Sequence, residues 1–100
     1  MITSPFISFL KDREKELAIV FALYELEKAS STQIAAFGQA HSSLPSINSS
    51  ELAKKRGYLE KHGILQVEEG KRPTTHTLTD KGKRLGRILK DLGEFIDKQF

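Results

Sequence analysis

The residues with the clearest capacity for chemistry are the cations and small polar side chains between positions 48 and 84. This segment carries nine Lys/Arg against five Asp/Glu, whereas residues 1–47 carry four against five and residues 85–100 carry three against three. The net charge of +3 is therefore concentrated in one part of the 100-residue sequence. Clustered cations attract polyanions, but Lys and Arg also simply solvate helix faces, so charge alone does not decide between these interpretations.

Many of these cations fall on a predicted helix over about 48–62. Asn48 and Glu51 have the spacing of a capping box that would open it, and Leu52, Arg56 and Leu59 share its inward face. The opposite face is small or basic, which would let the helix enter a DNA major groove about 12 Å wide while its cations meet phosphates. An ordinary solvated face is the alternative. The residues of this face are Ser49, Ser50, Ala53, Lys54 and Gly57, with Lys55, Tyr58 and Lys61 at its edges.

A hairpin is predicted directly after this helix. Gly63 can take the left-handed conformation that ends a helix, a strand then runs through residues 64–69, and β-branched residues at 75–79 form the return strand. The turn, Gly70-Lys71-Arg72-Pro73, holds two cations at its tip, which suits contact with a minor groove or phosphate backbone. Alternatively, this is an ordinary surface hairpin whose edge cations discourage aggregation.

The elements that must position this segment are predicted to be helical. Ser4-Pro5 is typical of a helix start, and residues 13–28 form a helix that is apolar on two sides and therefore lies between partners. Ser30 and Gln33 have capping-box spacing and open a short helix at 31–40, followed by a loop at 41–47 that contains Pro45. The two stripes of the long helix are Leu17, Val20, Phe21 and Tyr24, and Ile19, Leu23 and Leu26.

From Asp80 onwards apolar residues recur at spacings of three and four, which predicts a C-terminal helix capped by Thr79. Together with an apolar N-terminal segment they exceed what one small core can bury, so we expect the two segments to pair with a second copy of the chain about a two-fold axis. Alternatively, they fold back on the helix at 13–28. The residues concerned are Phe6, Ile7, Phe9 and Leu10, and Leu85, Ile88, Leu89, Leu92, Phe95 and Ile96.

Other chemistry finds little support in the sequence. There is no cysteine, so disulfides and thiolate nucleophiles are excluded, and His41, His62 and His76 lack metal-ligand spacing. His76 is expected to face its neighbours in the hairpin. The segment Gly82-Lys-Arg-Leu-Gly86 lacks the spacing of a phosphate-binding loop and is predicted to lie within a helix. We therefore expect no enzyme activity, metal or cofactor, and the absence of an apolar run of about 20 residues predicts a cytoplasmic protein without a membrane contact.

Two motifs carry a family resemblance. Leu59-Glu-Lys-His-Gly63-Ile64-Leu65 matches a pattern of Leu, polar residues, Gly and two apolar residues that ends a recognition helix. His76-Thr-Leu-Thr-Asp-Lys-Gly82 matches the pattern that follows a wing. Over about residues 13–90 the sequence thus resembles the winged helix-turn-helix transcription regulators, in the MarR/PadR-like part of that superfamily. The resemblance implies a dimer whose recognition helices enter successive major grooves while the wings reach the flanks.

The resulting prediction is a mostly helical α+β fold, a winged helix-turn-helix with a two-stranded wing. Residues 1–100 are expected to form one domain, with 1–12 and 80–100 as helical dimerisation segments and 13–79 as the winged core. The expected partners are double-stranded DNA and a second copy of the chain, and any effector would bind at the dimer interface. The predicted DNA-binding residues are Ser31, Thr32, Gln33, Ser49, Ser50, Lys54, Lys55, Tyr58, Lys71, Arg72 and Thr74.

The sequence departs from the family pattern in three respects. The loop at 41–47 is longer than usual, the outer face of the recognition helix carries no arginine, and Gly57 stands where the family often has a basic residue. These departures bear on base-specific readout more than on DNA binding itself. Two alternatives to a sequence-specific regulator stay open: an architectural protein that coats DNA without sequence preference, and a winged helix that mediates protein contacts.

Overall fold

A computed structural model describes residues 11–40, 49–68 and 74–99. In these ranges four helices surround a three-stranded antiparallel sheet, which confirms the predicted mostly helical α+β fold. Several predicted features lie outside the described residues: the Ser4-Pro5 start with Phe6, Ile7, Phe9 and Leu10, the loop at 41–47 with Asn48, and the wing tip with Lys71 and Arg72. The elements are α1 (Glu14–Leu26), β1 (Lys28–Ser30), α2 (Ser31–Ala40), α3 (Ser49–Lys61), β2 (Leu65–Glu68), β3 (Thr75–Leu78) and α4 (Asp80–Gln99).

α1 runs through the centre of the fold. Both of its predicted apolar stripes reach the core, since Val20 comes from one and Ile19 and Leu23 from the other, and all three are fully buried. The prediction that this helix continues to residue 28 is wrong. Glu27 takes a left-handed φ of 70°, its N–H donates to the Leu23 carbonyl at 2.8 Å, and the chain turns into a strand. Leu26, the last residue of the helix, is consequently 38% exposed.

The sheet contains one strand more than the predicted two-stranded wing. β3 is the central strand, with β1 and β2 antiparallel on either side of it. His76 pairs in register with Ala29 of β1, its side chain is 1% exposed, and its Nδ1 lies 2.9 Å from the Ala29 carbonyl oxygen. The histidine therefore reaches beyond the hairpin, and it links the base of the wing to β1, the strand between α1 and α2.

The junction between α3 and α4 is closed by backbone and cap hydrogen bonds. Gly63 has a φ of 69°, the left-handed conformation that glycine adopts without steric cost, and the Ile64 N–H donates to the Leu59 carbonyl at 2.9 Å. The Thr79 hydroxyl donates to the Gly63 carbonyl at 2.6 Å and accepts from the Gly82 N–H at 3.1 Å. Thr79 therefore caps α4, as predicted, and its hydroxyl also connects this helix to the end of α3.

Two glycines of α4 bring this helix close to its neighbours. A Cβ atom at Gly82 would lie 2.1 Å from the Ile64 carbonyl oxygen, and one at Gly86 would lie 2.7 Å from the Tyr24 ring. Both glycines are buried, and Leu85 and Leu89 pack partly against the core beside them. The Gly-x-x-x-Gly spacing thus lies within a helix as predicted, and its physical role is to let α4 approach its neighbours closely.

Candidate nucleic-acid interface

The outer face of α3 is exposed, as the sequence predicts. Leu52 and Leu59 are each 2% exposed and anchor the helix in the core. Ser50 and Lys54 project from the opposite side. Arg56, expected to point inward with the two leucines, is only half-buried, with its Nε 3.6 Å from a carboxylate oxygen of Glu60. The exposed residues of this surface, called here the outer face of α3, are Ser50, Ala53, Lys54, Gly57 and Lys61.

Two predicted DNA-binding residues lie on a different side of the helix. Lys55 and Tyr58 are half-buried and turn towards the first turn of α1. The Lys55 Nζ lies 3.8 Å from Glu16 Oε2, and the Arg13 guanidinium stacks on the Tyr58 ring at 4.1 Å. Glu51 lies on the same side of the helix and forms an ion pair with Lys15. We call these three α3 residues, Glu51, Lys55 and Tyr58, the inner flank of α3.

Arg13 connects the two sides of this contact. Its Nη1 donates to Glu16 Oε2 at 3.0 Å, and this hydrogen bond, with a smaller contribution from Tyr58, raises the pKa of the Arg13 guanidinium above its ordinary value. Arginine is charged at neutral pH in any case, and this environment favours the charged form further. Tyr58 also packs against His62, with ring centroids 4.4 Å apart. The inner flank is thus held by α1, and its residues are less available to an external ligand than those of the outer face.

The predicted residues at the start of α2 serve partly as a helix cap. The Ser30 N–H donates to Gln33 Oε1 at 2.8 Å, and the Gln33 N–H donates to the Ser30 hydroxyl at 3.3 Å. This is the reciprocal capping box that the sequence predicts. It engages the amide oxygen of Gln33, so only the NH₂ group of that side chain is left to donate to a ligand. Thr32 and Gln33 are exposed, and Ser31 is half-buried.

The wing is described only at its base. Thr74 is exposed directly before β3, whereas Lys71 and Arg72 lie outside the described residues. At the base, Glu68 Oε1 lies 3.1 Å from Lys28 Nζ, and Glu68 Oε2 accepts from the Thr75 hydroxyl at 3.3 Å. These contacts neutralise the acidic residue at the end of β2, and they link it to β3 beside it and to β1 on the far side of β3.

The apolar face of α4 is largely exposed. Ile88, Leu92, Phe95 and Ile96 are 61%, 41%, 57% and 46% exposed. We call these four residues the apolar stripe of α4. Leu89, which the sequence groups with them, instead packs partly against the core.

Within the described parts of residues 48–84, the cations lie on both α3 and α4. Lys83 and Arg84 belong to α4, where they line a groove of about 840 Å³ between α1, the sheet and α4. Arg87 and Lys90 line the same groove, and Lys90 Nζ lies 3.7 Å from Glu25 Oε1. The charge concentration in the sequence therefore overstates the charge on α3 itself.

Three residues that hold the inner flank of α3 could not be found from the sequence. Arg13, Lys15 and Glu16 precede the first apolar residue of α1 and look like an ordinary charged helix start. Glu16 is nevertheless 2% exposed, because α3 folds over it. A glutamate at the edge of an apolar stripe was the only available signal, and it does not identify a partner on another helix.

Other kinds of site receive no support from the described residues. Within residues 11–40, 49–68 and 74–99, no group of three or more His, Asp or Glu side chains could hold a metal ion. None of the helices in those ranges is both long enough and apolar enough to cross a membrane.

Comparison with solved structures identifies the architecture. The chain superposes on a putative MarR-family transcriptional regulator from Porphyromonas gingivalis W83 with a TM-score of 0.68, at 14% identity, covering 100% of this chain and 96% of that one. FabT of Streptococcus pneumoniae, solved in complex with DNA, gives a TM-score of 0.69 at 16% identity, covering 94% of this chain and 68% of that one. Sso10a-2, a DNA-binding protein from Sulfolobus solfataricus, gives 0.59 at 20% identity, covering 82% and 81%.

These similarities confirm the predicted winged-helix fold of MarR/PadR-like regulators. No protein-family model matches the sequence, and no curated protein does.

Proposed function

We propose that the protein binds double-stranded DNA with α3 in the major groove and the wing on the flanking backbone or minor groove. The observation that carries the proposal is the outer face of α3, where Ser50, Lys54 and Gly57 stand exposed on a helix anchored by Leu52 and Leu59. A helix with small and basic residues on its exposed side fits a groove about 12 Å wide, and its cations can neutralise phosphates.

The comparisons support this proposal through the fold. FabT was solved in complex with DNA, and Sso10a-2 is a DNA-binding protein, although neither exceeds 20% identity to this chain. Regulation of transcription follows as the cellular role, because the other similar structures include a putative MarR-family regulator. A winged helix used only for protein contacts would have no need of a basic outer face on α3.

A homodimer is the form in which we propose the protein acts. The apolar stripe of α4 presents Ile88, Leu92 and Phe95 to solvent, and burying a large side chain contributes about 1.5–3 kcal/mol. A second copy of the same helix offers a matching apolar surface about a two-fold axis. Two recognition helices would then lie about 34 Å apart, one turn of DNA, and would protect a pseudo-palindromic site.

Sequence specificity is the finer part of the proposal. The described outer face of α3 offers Ser50 and Lys54 for contacts with base edges but no arginine, the residue that most often reads guanine. This composition favours an architectural DNA-binding protein as a second candidate. Selecting bound sequences from a random DNA pool, and competing the selected duplex against a scrambled one, separates the two. A regulator prefers the selected sequence by at least about 10³-fold, whereas an architectural protein shows little preference.

Charge reversal at Lys54 tests the proposed DNA face. Lys54→Glu should abolish binding to every duplex and leave the thermal midpoint nearly unchanged, because the side chain is exposed and the new charge opposes phosphate. Lys98→Glu is the matched control, since it makes the same change on an exposed site at the far end of α4. Equal affinity of Lys54→Glu and the wild type in a fluorescence titration would remove α3 from the interface.

Substitution in the apolar stripe tests the dimer. Leu92→Asp combined with Phe95→Asp should give a folded monomer that binds DNA much more weakly, because the two half-site contacts are no longer linked. Sedimentation equilibrium measures the mass, and circular dichroism reports whether the variant is folded. A wild type that is monomeric at micromolar concentration would contradict the dimer and the two-fold footprint together.

A further inference from the structure

Glu16 is a buried carboxylate that contacts cations from two helices. Its side chain is 2% exposed, and its Oε2 accepts a hydrogen bond from Arg13 at 3.0 Å. The same oxygen lies 3.8 Å from the Lys55 Nζ on α3. The other oxygen, Oε1, is buried and has no hydrogen-bond partner in the part of the chain that the structure describes. A buried carboxylate with one unsatisfied oxygen attracts any nearby cation strongly.

Lys54 and Lys55 are neighbours in sequence but differ in their surroundings. Lys54 is exposed on the outer face of α3 and makes no ion pair with any residue in the ranges 11–40, 49–68 and 74–99. Lys55 lies on the inner flank, 30% exposed at its side chain, with its charge directed at Glu16. Two residues of the same type on one helix therefore offer different amounts of positive charge to a ligand.

The contact between Lys55 and Glu16 is loose enough to be exchanged. At 3.8 Å it exceeds hydrogen-bond length, so charge attraction alone holds the ammonium group. A phosphate brought within about 4 Å would attract the ammonium by a similar amount. If Lys55 turns to a phosphate, Arg13 still neutralises Glu16 through its hydrogen bond.

We infer that Glu16 is a positioning residue that keeps Lys55 away from DNA by pairing with it. A residue of α1 therefore lowers the affinity of α3 for the phosphate backbone. This inference rests on the proposed DNA-binding function and deepens it. Glu16 competes with phosphate for one lysine, and it lowers sequence-independent binding while leaving the outer face of α3 unchanged. Of these two lysines, Lys54 contacts phosphate in the wild type, and Lys55 does so only when Glu16 releases it.

Salt dependence of DNA binding tests the inference directly, because each phosphate contact contributes about 0.9 to the slope of log affinity against log salt. Lys54→Gln should reduce the magnitude of the slope by about 0.9, and Lys55→Gln should reduce it by much less. Glu16→Gln should raise the magnitude of the slope by about 0.9. The affinity of this variant relative to the wild type should then be about fivefold higher in 0.15 M salt than in 1 M salt. Glutamine keeps the volume of Glu16 and can still accept from Arg13.

Two further variants complete the experiment. Glu25→Gln is the matched control, because it removes the same charge from the same helix. It releases Lys90, a lysine of α4 and not of α3, whose Nζ lies 3.7 Å from Glu25 Oε1. It should leave the slope unchanged. In the double variant Glu16→Gln with Lys55→Gln the gain should disappear, since the lysine that would use it is missing.

The outcomes separate this inference from the proposed function. A wild type that binds no duplex overturns both. A wild type that binds, with equal losses of slope for Lys54→Gln and Lys55→Gln, overturns only the role of Glu16. If the increase in slope seen in Glu16→Gln persists in the double variant Glu16→Gln with Lys55→Gln, the role of Glu16 is likewise overturned. Circular dichroism checks each variant, and if Glu16→Gln does not fold, the comparison of the two single lysine variants decides the question.

Discussion

α1 holds its two long neighbours by opposite means. Against α4 it packs closely, with the Tyr24 ring over Gly86 at a distance that leaves no room for a Cβ atom. Against the inner flank of α3 it presents charges: Arg13 stacked on Tyr58, Lys15 paired with Glu51, and Glu16 within reach of Lys55. The contact with α4 depends mainly on shape, with one ion pair between Glu25 and Lys90, and the contact with the inner flank of α3 depends on charge.

The difference shows which contact can be adjusted without changing the fold. Close packing has one good arrangement, since a single added methyl group must displace its neighbours. Partly exposed ion pairs contribute little to stability and can exchange partners with a ligand. The helix proposed to bind DNA is therefore held by the adjustable contact at its flank, while Leu52 and Leu59 provide the fixed anchor beneath it.

The largest effect is expected for Gly82→Ala. The new Cβ would lie 2.1 Å from the Ile64 carbonyl oxygen, a backbone atom that cannot move without opening the junction between α3 and α4. Overpacking costs about 1–3 kcal/mol in a typical core, and we expect the upper end of that range or more. Urea denaturation measures the change in the free energy of unfolding. Stability equal to the wild type would show that α4 does not dock as closely as described.

Gly86→Ala should have a smaller effect of the same sign. Its Cβ would lie 2.7 Å from the Tyr24 ring and 2.8 Å from the Tyr24 Cβ, less close than the 2.1 Å contact at Gly82, and the ring can shift where a backbone carbonyl cannot. We expect a loss of about 1–2 kcal/mol, partly offset by the better helix propensity of alanine. In the variant Tyr24→Ala with Gly86→Ala the ring contacts disappear, but a Cβ atom remains at position 24, 2.8 Å from the new one. The loss caused by the alanine at position 86 should therefore be smaller, but not zero, when measured against Tyr24→Ala alone.

Gly57→Ala should have the opposite sign. Beyond the backbone of α3 itself, no atom of the described residues lies within 4 Å of a Cβ built at this position, on the outer face of α3. Alanine should therefore stabilise the helix by up to about 1 kcal/mol, seen as a higher urea midpoint at unchanged slope. Gly93→Ala on α4, where a Cβ likewise meets no atom within 4 Å, is the control and should give a similar gain. A loss of stability at position 57 would mean that this face is covered.

The smallest effect is expected for the ion pair between Lys15 and Glu51. Both side chains are about one-third exposed, so the pair should contribute no more than about 0.5–1 kcal/mol. A double-mutant cycle with Lys15→Ala and Glu51→Ala isolates this coupling energy, which should fall further in 1 M salt. A coupling above about 2 kcal/mol would contradict the distinction between the two contacts of α1.

The sequence predicts the parts of this fold whose signals are local. The capping box of Ser30 and Gln33, the glycine at 63 and the periodicity of α4 each depend on residues a few positions apart, and the structure confirms them. β1 was missed because Lys28-Ala29-Ser30 contains no β-branched or aromatic residue. Its extended conformation comes from pairing with β3, far away in the sequence.

The site is predictable to a similar degree. Helical periodicity placed Ser50 and Lys54 on the exposed face of α3 correctly. It could not assign Lys55 and Tyr58 to the inner flank, because their positions at the edge of the face fit either side until α1 is docked. The predicted DNA contacts themselves stay predictions, including those of Lys71 and Arg72 on the wing.

The central position of β3 in the sheet has a consequence for hydrogen exchange. Residues 75–77 are flanked by β1 on one side and β2 on the other, so solvent reaches their amides only when one of the two ladders opens. Their exchange should require an opening free energy close to that of global unfolding. Amides in the exposed last turns of α4 should instead exchange by local fraying. The base of the wing would then be among the slowest regions of the molecule to open, even though it borders the surface proposed to meet DNA.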